Sequence, residues 1–215
     1  MNNIHFISGI DTDAGKTIAT GWLAREWLRA GVRTITQKLV QTGNNGVSED
    51  ILRHREIMGC GLLPEDRAGL TAPEIYSYPA SPHLAAALDK RPLDIAKIDA
   101  ATRALSERYD AVLLEGAGGL MVPLTDDLLT IDFVRERNYP VIFVTSAKLG
   151  SINHTLLAFE ALKHRGMKLE LLLFNSFPDP GEPIRGSTEE YLRRLLARDW
   201  PSARFETVPL QDFAK

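Results

Sequence analysis

The chain has 215 residues, 44% of them hydrophobic, which suits one fair-sized domain around a single core. Its formal net charge of −3 gives no global positive field to draw it to nucleic acid or anionic lipid, so small molecules are the expected ligands. The single cysteine, Cys60, rules out an internal disulfide, and the chain shows neither a secretory leader nor a run near the ~20 apolar residues of a membrane span; a soluble cytoplasmic protein is expected.

Apolar runs of strand length recur at Ile4 to Ser8, Thr34 to Val40, Ala111 to Leu114, Val141 to Thr145 and Leu169 to Phe174. Between them, helical spacing predicts helices over Thr17 to Ala30, Asp50 to Met58, Pro82 to Asp89, Ile95 to Arg108, Ile131 to Arg137, Ser151 to His164 and Thr188 to Arg198. Such alternation implies right-handed crossovers: an α/β fold with a mostly parallel sheet covered by helices on both faces. Gly59 to Pro79 reads as an excursion between sheet elements, and Pro178 to Gly186 as a loop.

The turn after the first strand is "GIDTDAGKT", residues 9 to 17. A glycine-rich turn ending Gly-Lys-Thr before a helix can aim backbone N–H groups and the helix's positive end at phosphate oxygens. Gly15 permits close backbone approach, Lys16 reaches the β- and γ-phosphates, and the Thr17 hydroxyl takes a Mg²⁺ position. Five residues, Ile10 to Ala14, separate the glycines where the general template has four. Taken alone, the same letters also describe a tight turn opening a helix.

A second site follows the strand at Ala111: "EGAGG", residues 115 to 119, at the carboxyl end where ligands of open α/β sheets gather. Glu115 there can hold Mg²⁺ opposite Thr17, or cap and pair locally. Lys38, in "TQKLVQTG", ends the second strand, which neighbours the first in many such sheets; it faces either the crevice or solvent.

Together, "GIDTDAGKT", "KLVQTG", "SPH" at 81 to 83, "EGAGG" and "KLGSINH" at 148 to 154 resemble dethiobiotin synthetase, in the same order and at similar intervals over nearly the whole chain. That family uses the five-residue spacing in its phosphate loop. The resemblance implies a P-loop NTPase-like domain spanning residues 1 to 215 and an ATP- and Mg²⁺-dependent ligase. In the implied reaction 7,8-diaminopelargonate, CO₂ and ATP give dethiobiotin, ADP and phosphate through a carbamate and a carbamic-phosphoric anhydride.

By the same resemblance, Lys16, Lys38 and Thr12 are catalytic. The nucleotide is held by Asp13, Ala14, Gly15, Lys16, Thr17, Ile18, Asp50, Glu115, Gly116, Ala117 and Gly118, with Asn175 and Ser176 at the base. Thr17, Asp50 and Glu115 bind Mg²⁺, while Lys38 and Thr42 contact the substrate. Leu149, Gly150, Ser151, Ile152 and Asn153 reach the substrate's carboxylate in the active site of a second subunit, which implies a homodimer with shared sites. Ser151 also reads as an N-cap, and His83 and His154 as exposed residues of first helical turns. Against the family pattern, Leu39 replaces a common proline, Thr42 a serine, Asp13 a glutamate and Ser176 an aspartate, and the chain stops early after "TVPLQDFAK". Two rivals fit less well. A partition-type nucleotide switch needs a further lysine early in the loop, where Ile10 and Asp11 stand, and an amidotransferase of cobalamin synthesis needs a glutaminase domain.

Overall fold

A computed structural model describes residues 3–209. Its main sheet has six strands: β1 (Ile4–Gly9), β2 (Thr34–Lys38), β5 (Ala111–Gly119), β6 (Val141–Ser146), β7 (Leu169–Asn175) and β8 (Arg204–Val208). They lie in the order β2-β5-β1-β6-β7-β8, with every neighbouring pair parallel. Two short strands, β3 (Gln41–Thr42) and β4 (Ile75–Tyr76), form a separate parallel pair.

The strands are apolar on both faces because helices cover both. On one face Phe6, Leu114, Phe143, Leu172 and Phe174 pack with Ile98 and Leu105 of α5 (Ile95–Ser106), Phe133 of α6 (Thr130–Glu136), Phe159 of α7 (Ser151–His164) and Leu192 of α8 (Ile184–Asp199). On the other, Ile7, Leu113, Ile142 and Leu171 meet Ala19 and Leu23 of α1 (Lys16–Arg29) and Ile57 of α2 (Glu49–Met58). Adjacent residues such as Phe6 and Ile7 enter opposite clusters, as the two-residue period of a strand requires. No helix among the described residues is long and apolar enough to cross a membrane.

Four expectations are corrected. β2 does not neighbour β1: β5 lies between them, pairing Ile7 and Lys38 with the same residue, Glu115. β1 is already flanked by β5 and β6, which leaves β2 the outer edge of β5. The segment "EGAGG" does not follow the strand but belongs to it, because parallel pairing of β5 with β1 continues to Gly119. The segment from 178 to 186 is not wholly loop, since α8 starts at Ile184, one turn before the predicted Thr188. Finally, β8 adds an edge strand that the apolar runs do not reveal. Its Arg204, Glu206 and Thr207 are partly or fully solvent-facing, so it carries no continuous apolar run.

The excursion from 59 to 79 holds the short α3 (Pro64–Arg67) and β4, and it props the end of β2, where the Lys38 N–H donates to the Thr71 carbonyl at 2.7 Å. α4 (Pro82–Leu88) follows.

Candidate active site

The carboxyl ends of β1, β2, β5 and β7 border one cleft of about 1180 Å³. Of the residues expected at the site, Thr12, Asp13, Gly15, Lys16, Thr17, Ile18, Lys38, Thr42, Asp50, Glu115, Ala117, Gly118 and Asn175 line it. Lys148, Phe177 and Pro178 line it as well, as does the Pro79–Pro82 segment.

The phosphate turn is shaped by Gly15, which caps α1 at φ 83°. That left-handed conformation suits glycine, and a Cβ there would stand 2.1 Å from Asn175 Nδ2. The turn is therefore closed against β7: Asn175 Nδ2 donates to the Ala14 carbonyl at 3.1 Å, while its Oδ1 accepts the Phe177 N–H at 3.1 Å. Lys16 opens α1 and its Nζ donates to the Asp11 carbonyl at 2.7 Å, on the loop's own backbone. Burial lowers its pKa from 10.5 to about 8, with Glu115 and Asp50 pulling it up and Lys38 pushing it further down.

Lys38 is buried, and its Nζ lies 2.5 Å from Asp50 Oδ2 and 2.8 Å from Glu115 Oε1, donating also to the Gly116 carbonyl at 3.2 Å. Burial alone would lower its pKa, but Glu115 and Asp50 outweigh it and raise the value. For Glu115, burial pushes the carboxyl up; the Lys38 ammonium and the His54 hydrogen bond reverse this and hold it well below the usual carboxylate range. Thr17 Oγ1 completes the group, 3.0 Å from Asp50 Oδ1 and 3.3 Å from Glu115 Oε1. A hydroxyl, two carboxylates and a cation between them thus meet at one point, which is an arrangement that accepts positive charge.

Ala14, Gly116 and Ser176 lie behind the cleft wall and are buried, the first two meeting cleft residues through their carbonyls. Leu149, Gly150, Ser151, Ile152 and Asn153 do not line this cleft, and Leu149 is 82% exposed. Ser151 is not the N-cap of α7. Gly150 is, at φ 94°, and the buried Ser151 Oγ has no hydrogen-bond partner among the described residues. His83 Nδ1 lies 3.0 Å from Ser81 Oγ, half-buried at the start of α4, and His154 is exposed.

Three residues at the centre escape the sequence reading: Thr20, Thr36 and His54, all fully buried. Thr20 Oγ1 lies 2.6 Å from Glu115 Oε2, His54 Nε2 3.0 Å from the same oxygen, and His54 Nδ1 3.1 Å from Thr36 Oγ1. The signals were present as spacing. Thr20 stands one helical turn from Lys16, and His54 one turn from Asp50, so each pair shares a face.

Chain order and coverage define the class. Residues 4–199 match a family model described as an AAA domain. The fold is similar to the cell division protein FtsY of Thermotoga maritima, with a TM-score of 0.57 at 16% identity, over 97% of this chain and 62% of that one. A strand, a glycine-rich turn and a helix opening Lys-Thr, at the end of a parallel sheet, make this a P-loop nucleotide-binding α/β protein. Within that class the sequence is 47% identical to ATP-dependent dethiobiotin synthetase BioD 2 of Pasteurella multocida, over 98% of this chain and 99% of that protein. It is 48% identical to BioD of Chlorobaculum tepidum (89% and 80% covered) and 35% to BioD 1 of Escherichia coli K12 (85% and 81%). The chain belongs to the ATP-dependent dethiobiotin synthetase family and is an enzyme of it.

Proposed function

We propose that this chain is a cytoplasmic ligase of biotin biosynthesis that closes the cyclic urea of dethiobiotin from 7,8-diaminopelargonate, CO₂ and ATP. The observation that carries this reading is that Lys16, from the phosphate turn, and Lys38, from the end of β2, line the same cleft with Asp50 and Glu115 beside them. One amine of the substrate takes up CO₂ and loses a proton to give a carbamate. A carbamate oxygen attacks the γ-phosphorus as the bond to ADP breaks, and the second amine then attacks the carbamoyl carbon, expelling phosphate.

Two anions must meet in the middle step. At ~4 Å and an effective dielectric near 20 their repulsion is about 4 kcal/mol, so a cation between them matters to the rate. Lys16 would neutralise the transferring phosphoryl oxygens, and Lys38 would hold the carbamate in line beside Thr42 once its ammonium turns from the carboxylates. Thr12 and Asp13 line the phosphate side of the cleft. Asn175, which lines the cleft in front of the buried Ser176, would meet the base.

Mg²⁺ suits this donor set, because an ammonium already stands between the Asp50 and Glu115 carboxylates next to the Thr17 hydroxyl. No group of three or more His, Cys, Asp or Glu makes a metal cage among the described residues, so nucleotide phosphates would supply the remaining ligands, the usual arrangement for this ion. Bound there, it would supply Lewis-acid stabilisation of the phosphate charge. Leu149 to Asn153, which lie outside the chain's own cleft at and just before the start of α7, would serve a second subunit's substrate carboxylate in a homodimer.

The test is phosphate release from ATP. Ring closure requires that release depend on both the diamine and bicarbonate, whereas a nucleotide switch would hydrolyse ATP with neither, and that outcome would refute the proposal.

A further inference from the structure

Glu115 lies inside β5 with its side chain fully buried, and its two oxygens have different neighbours. Oε1 faces the cleft group, 2.8 Å from Lys38 Nζ and 3.3 Å from Thr17 Oγ1. Oε2 faces inward, 2.6 Å from Thr20 Oγ1 and 3.0 Å from His54 Nε2. Thr20's single hydroxyl proton also has the Lys16 carbonyl within 2.8 Å, and the charged acceptor is the stronger of the two.

Behind the imidazole the chain of contacts continues. His54 Nδ1 meets Thr36 Oγ1 at 3.1 Å, and Thr36 Oγ1 accepts from Arg55 Nη1 at 2.8 Å. Arg55 is itself clamped by Asp66, with Nε to Oδ2 at 2.9 Å and Nη2 to Oδ1 at 2.8 Å. The ionised Glu115 carboxylate can only accept, so His54 Nε2 carries a proton aimed at Oε2, while Thr36 Oγ1, which accepts from Arg55 Nη1, keeps its own proton free to meet Nδ1. Glu115, Thr20, His54, Thr36 and Arg55 are buried and the Asp66 side chain is 5% exposed, so the ring has no freedom to swing away.

We infer that His54 is a positioning residue: anchored through Thr36 to the Arg55–Asp66 pair, its imidazole fixes Glu115 Oε2 from behind and leaves Oε1 as the single oxygen presented to a divalent cation. The inference deepens the proposed function and rests on Glu115 being a metal ligand. Outer partners of this kind set the orientation of a ligating carboxylate, and their loss typically lowers metal affinity about 10–100-fold.

The experiment uses the full chain with Mn²⁺ as the probe, its Kd measured by electron paramagnetic resonance at saturating ADP, alongside the Kd of ADP in EDTA. His54→Gln can place an amide N–H near the Nε2 position, whereas His54→Asn is a methylene too short. The expected result is Mn²⁺ affinity within about threefold of wild type for His54→Gln and at least about tenfold weaker for His54→Asn, with metal-free ADP binding unchanged in both. Equal Mn²⁺ affinities for the two variants, or a loss shared equally by metal-free ADP, would overturn the assignment. If His54→Asn does not fold, Thr36→Val decides: it keeps the imidazole but frees Nδ1, and a loss of at least about tenfold supports the inference while any smaller loss overturns it. Glu115→Gln separates this inference from the reading beneath it. Wild-type Mn²⁺ affinity in that variant removes the metal reading and the role of His54 with it, whereas a loss there with His54→Asn unaffected removes the role of His54 alone.

Discussion

The ammonium of Lys38 lies 2.5 Å from the carboxylate of Asp50, tying the end of β2 to the first turn of α2. Glu115 shares the same ammonium, so this one side chain balances two carboxylates at the base of the cleft. Removing one member of a buried ion pair leaves the others uncompensated, at a cost of about 3–5 kcal/mol. Lys38→Met is therefore predicted to lose roughly 3 kcal/mol of stability at neutral pH without metal, read by urea denaturation. Added Mg²⁺ should restore more stability to the variant than to wild type. The pH dependence has a definite sign. Lys38 holds the Glu115 carboxyl well below its ordinary value, so that contribution is present above the unfolded carboxylate pKa and fades as pH falls through the folded one. The gap between wild type and Lys38→Met should close in acid. A gap that widens there would contradict the assigned pairing.

Lys16 titrates in the same sense but in the alkaline range. Its pKa is lowered by burial to about 8 in the ligand-free fold, so above that value the folded chain holds fewer protons than the unfolded one, and this group's contribution to stability rises with pH from about 8 to 10.5. Phosphate next to the ammonium favours the charged form. Nucleotide binding at pH 9 should then take up a proton, seen as a binding enthalpy that changes with the ionisation enthalpy of the buffer. Lys16→Met should abolish this uptake.

Gly15 and Asn175 make a paired prediction. Gly15→Ala introduces a Cβ 2.1 Å from Asn175 Nδ2 and imposes φ 83° on an L-residue, a conformation costing about 1–2 kcal/mol. ATP affinity should fall by at least tenfold. In Gly15→Ala/Asn175→Ala the clash is gone while the backbone penalty and the loss of the Asn175 amide remain, so the double variant should bind ATP more tightly than the product of the two single losses predicts. Losses that simply multiply would show that the contact does not shape the turn.

The parts of this site that rest on one local pattern were legible in the sequence. The turn from Gly9 to Thr17 announces itself because glycine, lysine and threonine are needed at fixed places on a strand-to-helix junction. Strand order was not legible, since parallel strands buried on both faces carry similar apolar runs and nothing local tells β5 from β6 as the neighbour of β2. His54 was hidden for a related reason. A histidine in a helix as polar as α2 looks solvated, and only the tertiary fold brings β2 and β5 against it. β8 was hidden by its edge position, where Arg204 and Glu206 interrupt the continuous apolar run that marks an inner strand.

Asn175 bears on nucleotide choice. Its side-chain amide offers two N–H donors and a carbonyl with two lone pairs, and the fold already uses one of each on Ala14 and Phe177. One donor and one acceptor position remain for a base. Each such hydrogen bond contributes about 1 kcal/mol net, so discrimination by this residue should be no more than about 30-fold. We predict turnover with ATP, and measurable turnover with CTP and GTP within that ratio, read as phosphate release in the presence of diamine and bicarbonate. Asn175→Ala should flatten the ratio toward one while weakening all three nucleotides, because the same amide also closes the phosphate turn through the Ala14 carbonyl. Failure to use ATP at all would refute the base assignment, and a preference for ATP above a thousandfold would place base recognition in other residues.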